Sequence, residues 1–302
     1  MAELEVLGSN RILAGSAASI RVTCYRDGEL ATPTGTLTCS IANAEGTVLA
    51  TPTPTASNGV LTAAMTAAQN VDVNTLTVTW DGLVFGAEPA TTITSEHESI
   101  GAWLFGLAEA RTHGNPSQPL ASANDYPDDF IRYYRDLIAD KFAERLLYPL
   151  GARYQMATID GDGTSELFLR NAWRCRRLRN VWVRTYGTTT WTALTESQMA
   201  LCSLTRAGLL SREGNVWPKG KGNIRIAYEN GAQPIPLELR DAALAVLADA
   251  SVGSDLPARA TTQTIEGNTF QLATPGIRGS FVGIPGVDEA LEHHRVKTFG
   301  VA

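Results

Sequence analysis

In three short runs between Ile20 and Trp80 apolar residues recur at every second position, and this period points the first third of the chain to β-structure. Ile20, Val22 and Cys24 alternate with Arg21, Thr23 and Tyr25. Leu37, Cys39 and Ile41 alternate with Thr and Ser, and Leu76, Val78 and Trp80 repeat the pattern. Successive strand side chains point to opposite faces, so each run turns one face to a core and the other to water. Turn signals separate the runs: Asp27-Gly28, Glu45-Gly46, Asn58-Gly59 and Asp81-Gly82. Short strands at this spacing predict an all-β, immunoglobulin-like sandwich over residues 1–95. Cys24 and Cys39 both fall on its inward side. They read as a disulfide or, in a reducing cytoplasm, as two small buried thiols.

The pattern changes near Ser95, and so does the charge. Arg11, Arg21 and Arg26 are the only Lys or Arg residues before Ser95, against eight acidic ones. Ser95 and Glu98 form an S-x-x-E capping box, which predicts a helix carrying Ile100, Trp103, Leu104, Leu107 and Ala108. Gly114 and Pro116 end it. A second helix is predicted from Pro127 to Tyr148, with the stripe Ile131, Tyr134, Ile138, Phe142 and Leu146. A third begins at Pro236 and buries Leu239, Ala242, Ala243, Val246, Leu247 and Ala250. Between them, from about 155 to 230, strand periodicity returns in Leu167 and Leu169, Val181 and Val183, and Ile224, Ile226 and Tyr228. The expected architecture is multidomain. An α+β, mainly helical domain over 96–251 with a β insertion follows the sandwich, and 252–302 form an extended tail. That tail is rich in Gly, Thr and Pro, has a short helical piece around Asp288 to His294, and carries spaced apolar residues suited to ordering on a partner.

Chemistry-bearing patterns are sparse, and no catalytic residue, metal ligand or cofactor site is expected. Gly214 to Gly222 (GNVWPKGKG) has wider spacing than a phosphate loop, and Gly rather than Ser or Thr follows Lys221. Asp160-Gly161-Asp162-Gly163-Thr164 begins like a calcium loop, but Ser165 stands where that loop needs Gly and Asn171 where it needs a carboxylate. A tight turn is the simpler reading. His97, His113, His293 and His294 show no ligand spacing and read as surface residues. Arg170, Arg174, Arg176, Arg177, Arg179 and Arg184 form the one basic cluster. They read as a solvated strand face, as contacts to phosphate or an acidic partner, or as a strip facing a neighbouring subunit. The net charge of −6 argues against nucleic-acid binding by bulk charge. Met1-Ala2-Glu3-Leu4-Glu5 has no basic segment leading an apolar run, so no signal peptide is expected, and no run approaches the ~18 apolar residues of a membrane span.

A series of short motifs from about Asp125 onward resembles the head-to-tail adaptor (head–tail connector) family of siphophages. Ala143-Glu144-Arg145 leads to Asp160-Gly161-Asp162-Gly163 and then to the strand Glu166-Leu167-Phe168-Leu169-Arg170. Val181-Trp182-Val183, Gly208-Leu209-Leu210-Ser211-Arg212 and Val216-Trp217-Pro218-Lys219-Gly220 follow in order. The strand Asn223 to Tyr228 runs into Glu229-Asn230-Gly231, then Pro234-Ile235-Pro236-Leu237. Gly283-Ile284-Pro285-Gly286-Val287-Asp288-Glu289-Ala290-Leu291 completes the likeness. The sandwich in front departs from minimal family members.

The resemblance implies a structural virion protein, assembled in the host cytoplasm as a dodecameric ring. That ring would lie between the portal and a stopper or tail protein, with DNA passing through its lumen without sequence-specific contact and no membrane involved. The candidate interface residues are Ile277, Phe281, Ile284, Val287, Leu291 and Phe299 of the tail, with Arg176, Arg177 and Trp217. Two other readings stay open: a stopper or tail-completion protein of the same neck, and a glycan- or surface-binding module using the sandwich and aromatics such as Trp191.

Overall fold

The computed structural model describes residues 2–7, 9–113, 119–170, 172–185, 188–251, 262–265, 268–271 and 282–297. The chain divides into two compact units, one of residues 1–102 and 151–233, the other of residues 103–150 and 234–302. The tail residues Ile277, Phe281 and Phe299 lie outside the described residues.

The first unit is built of strands. One of its sheets orders β1 (Ala2–Val6), β3 (Ala18–Arg26), β8 (Val60–Met65) and β7 (Thr55–Ser57), with β4 (Glu29–Leu30) also paired to β3. The other orders β2 (Arg11–Leu13), β10 (Thr91–Ile100), β9 (Asn74–Leu83), β5 (Thr38–Asn43) and β6 (Val48–Ala50). The inward residues of both sheets share one core. Ile20, Val22 and Cys24 of β3 and Leu61, Ala63 and Met65 of β8 join Cys39 and Ile41 of β5 and Leu76, Val78 and Trp80 of β9. Cys24 and Cys39 are free buried thiols, and burial pushes each up to about 11.

Strand β10 corrects the helix expected from Ser95. Ser95, His97 and Ser99 are buried while Glu96 is exposed and Glu98 half-exposed, a period of two rather than 3.6. Its inward face is polar and satisfied. The Trp80 indole donates to Ser95 Oγ at 3.0 Å, Ser95 Oγ meets His97 Nε2 at 3.0 Å, and Ser99 Oγ donates to Asn70 Oδ1 at 2.7 Å. A search for apolar alternation passes over such a strand.

Among the described residues, the rest of the first unit holds seven further strands. A four-stranded sheet orders β11 (Arg153–Gly161), β17 (Gly220–Asn230), β13 (Cys175–Val183) and β14 (Thr192–Ala193). A three-stranded one orders β12 (Glu166–Phe168), β16 (Leu209–Arg212) and β15 (Cys202–Leu204). Leu167, Leu169, Val181, Leu210, Trp217, Ile224 and Ile226 fill the core between them. Val73, Ala152, Tyr154 and Ala227 form a smaller buried cluster that joins this body to the sandwich strands, helped by the Gly101 N–H donating to Ala152 O at 2.8 Å.

The described part of the second unit is helical apart from a two-stranded antiparallel sheet of β18 (Thr262–Ile265) and β19 (Asn268–Gln271). Its helices are α1 (Leu107–Thr112), α2 (Asp128–Leu146), α4 (Leu237–Ser251) and α5 (Pro285–His294); the single turn α3 (Glu196–Met199) belongs to the first unit. Helices α2, α4 and α5 contact one another. They bury Ile131, Ile138, Phe142 and Leu146, then Leu239, Ala243, Leu244 and Leu247, then Val287, Ala290 and Leu291. Each set follows i, i+3, i+4 or i+7 spacing, the stripe of a one-sided helix. Inside, the Arg135 guanidinium lies 3.5 Å from the centroid of the Trp103 ring.

These elements overturn the expected mainly helical adaptor domain. Among the described residues 40% are strand and 22% helix, in several small sheets. The physical reason is that the 155–230 stretch is no insertion in a helical body. It owns a core of its own and shares a compact unit with the sandwich. The short helical piece expected around Asp288 to His294 is α5, and Val287, Ala290 and Leu291 dock it on α2 and α4.

Candidate assembly surface

The basic strip on β13 was the strongest charge feature of the sequence, and its geometry ties it to its own chain. Arg179, with its side chain 14% exposed, reaches Asp72 Oδ1 and Glu229 Oε1, each at 2.9 Å. Its hydrogen bond holds the Asp72 carboxyl below the usual carboxylate range. Arg177 stands 3.6 Å from the same Asp72 oxygen and 3.9 Å from Glu229 but remains largely exposed. Arg176 is exposed and donates to the Gln233 carbonyl at 2.7 Å. Arg177 and Arg179 therefore link β13 to the loop before β9, and Arg176 and Arg177 are the outward members available to a partner.

Because Glu229 is nearly enclosed, removing its cation leaves a buried carboxylate poorly paired. Arg179→Ala is expected to cost about 2 kcal/mol of stability. Much of that loss should return in the Arg179→Ala/Glu229→Gln double variant. Urea unfolding of the four proteins in this cycle measures the coupling.

The motif segments around Trp217 converge. Glu166 pairs with Ser211 and Phe168 with Leu209 across β12 and β16, and Val181 pairs with Ile226 across β13 and β17. The loop that superficially resembled a phosphate cradle spends its amides internally. Gly222 N–H donates to Asp160 Oδ1 at 2.6 Å, while Asn223 accepts from Gly161 N–H at 2.9 Å and donates to Pro218 O at 2.8 Å. A Cβ on Gly161 would strike the Pro218 carbonyl oxygen, so this close approach requires glycine. Asp160-Gly161-Asp162-Gly163-Thr164 is a tight turn. Asp162 accepts from both the hydroxyl and the amide of Thr164, which lower its pKa.

Trp217 is completely buried in this core. Val287 and Leu291 are buried within the second unit, and Ile284 sits half-buried at the N-cap of α5. Exposed apolar side chains lie elsewhere: Tyr133 and Leu137, one turn apart on α2, with Phe168 and Val216 near the motif core. Tyr133 and Leu137 were legible only as helix residues outside the predicted stripe. Two arginines, Arg184 and Arg225, lie over the Trp191 ring at 4.9 and 4.3 Å from its centroid, which leaves that tryptophan partly covered.

Glu238, His293 and His294 converge across α4 and α5, with their ligating atoms within 4.8 Å of one another. More than fifty residues separate Glu238 from the histidines, so no sequence spacing announced the group. His97, in contrast, is a core residue rather than a surface one.

No protein-family model matches the chain. No curated protein matches it either. Among solved structures, the neck of an empty GTA particle computed with C6 symmetry is similar at 16% identity and a TM-score of 0.44, over 65% of this chain and 92% of that one. A DUF4426 family protein from Pseudomonas aeruginosa PAO1 is similar at 16% identity and a TM-score of 0.23, over 33% of this chain and 88% of that one. At these TM-scores neither likeness bears on what the chain does. The resemblance to siphophage adaptors rests on the motifs themselves. Among the described residues no helix is long and apolar enough to cross a membrane.

Proposed function

We propose that this chain is a structural subunit of a tailed-phage neck, a head-to-tail adaptor that works by assembly rather than catalysis. In this reading the subunits form a ring that seats on the portal, receives the stopper or tail protein on its other side, and lines the channel through which DNA leaves. The observation that carries the reading is the ordered motif series from Asp160 to Gly231, whose scattered segments meet in one core around Trp217. The exposed Arg176 and Arg177, and Ile284 with the rest of the C-terminal segment, are the surfaces that would meet neighbours.

Co-sedimentation tests it. Purified chain mixed with tail-less heads of its own particle is expected to pellet with them, saturably. Arg176→Glu/Arg177→Glu, which alters two exposed side chains, is expected to reduce that pelleting. A folded chain that stays in the supernatant at every concentration would overturn the reading.

A further inference from the structure

The geometry points to a site for a divalent transition-metal cation of the zinc class, held by Glu238, His293 and His294, which would clamp the C-terminal end of α5 onto the first turn of α4. Glu238 Oε2 lies 2.8 Å from His294 Nε2 and 3.3 Å from His293 Nδ1. Zinc sits about 2.0–2.1 Å from imidazole nitrogen and from carboxylate oxygen, so tetrahedral donors stand roughly 3.3 Å apart. Two edges of the triangle are already near that spacing, and the His–His edge lies within 4.8 Å. The exposed His293 ring has the freedom to close it.

The donor set suits the cation. Two imidazoles and one carboxylate are borderline ligands that favour zinc, nickel or copper over calcium or magnesium, which demand oxygen. Three protein ligands leave a fourth position for water or for a group on another molecule.

The scaffold holds these donors in place. The His294 carbonyl accepts from the Tyr148 hydroxyl at 3.0 Å, and Arg145 pairs with Glu292 at 2.9 Å on the same helix. His293 and His294 also occupy the last turn of α5, where the helix dipole favours positive charge. The site stands independently of the neck reading and survives its failure.

Chelator-treated full-length chain titrated with zinc ion alone by calorimetry is the test. One zinc per chain is expected, with Glu238→Gln, His293→Gln and His294→Ala each lowering affinity at least about tenfold, since removing even an outer partner of a ligand has that effect. His113→Gln, outside the triad, should bind as the parent does. Saturating zinc is expected to raise the thermal midpoint of the parent but not of the His293→Gln protein. His293 is 71% exposed on its side chain, so that variant keeps the fold and decides the matter even where His294→Ala disturbs it. Absence of saturable binding, or affinity unchanged in both Glu238→Gln and His293→Gln, would overturn the site.

Discussion

Trp217→Ala is expected to lower the unfolding free energy by about 3–5 kcal/mol, the range for truncating a fully buried large aromatic. The indole is completely enclosed among Leu167, Leu169, Val181, Leu210 and Ile224. Its Nε1 donates to the Ser165 carbonyl at 3.2 Å, and the Arg212 guanidinium lies 5.4 Å from the ring centroid. Truncation therefore opens a cavity and removes one of the two donors to the Ser165 carbonyl, which keeps the Arg212 N–H at 2.9 Å. Urea unfolding followed by circular dichroism measures the loss. Trp217→Phe, which restores most of the volume, should recover a large part of it. A loss below about 1 kcal/mol for the alanine variant would mean that this core does not hold the motif segments together.

Acidification is expected to remove about 3 kcal/mol through His97 alone as pH falls from about 6.5 to about 4. His97 is 2% exposed, and burial pushes its pKa down to about 4, opposed by a backbone hydrogen bond involving Asn10. The unfolded chain takes up a proton near the ordinary histidine value of about 6.5, whereas the folded chain does not until near 4. Within that window protons favour the unfolded state, so stability is full above it and falls towards acid. Asp72 and Asp128, held low by their hydrogen bonds to Arg179 and Arg111, act further down. Their contribution is present above the carboxylate range of about 4 and is lost below it. Comparing urea midpoints at pH 7 and pH 4.5 in the parent and in His97→Gln isolates the histidine. The parent should weaken markedly and the variant much less; equal slopes would contradict a buried neutral His97.

The contrast between legible and illegible elements is physical. Strands β3, β5 and β9 declared themselves because their inward residues are apolar and their outward ones polar. Helix α2 did so because Ile131, Ile138, Phe142 and Leu146 hold helical spacing and are all buried. Strand β10 did not, since its buried face is Ser95, His97 and Ser99, and hydrogen bonding there replaces the hydrophobic signal. The capping-box spelling of Ser95 and Glu98 is a local rule that strand pairing with β9 overrides. The balance between helix and sheet was misread for a related reason. Local pattern marks where strands lie but not which core they share, and the core around Trp217 joins residues from Leu167 to Tyr228.

Among the candidate interface residues, hydrophobicity drew attention to Trp217, Val287 and Leu291. Large apolar side chains are buried by their own chain more often than they are offered to a partner. Arg176 and Arg177 were legible as charge but not as outward neighbours of Arg179, whose carboxylate partners come from Asp72 and Glu229. The triad of Glu238, His293 and His294 forms only when α5 docks on α4, an event that one-dimensional spacing does not encode.

Electron microscopy of tail-less heads incubated with the purified chain tests the neck proposal most directly. The predicted result is a ring of added density at the single portal vertex, with rotational symmetry about the channel axis. Heads that keep a bare portal, or density scattered over the capsid surface, would contradict it.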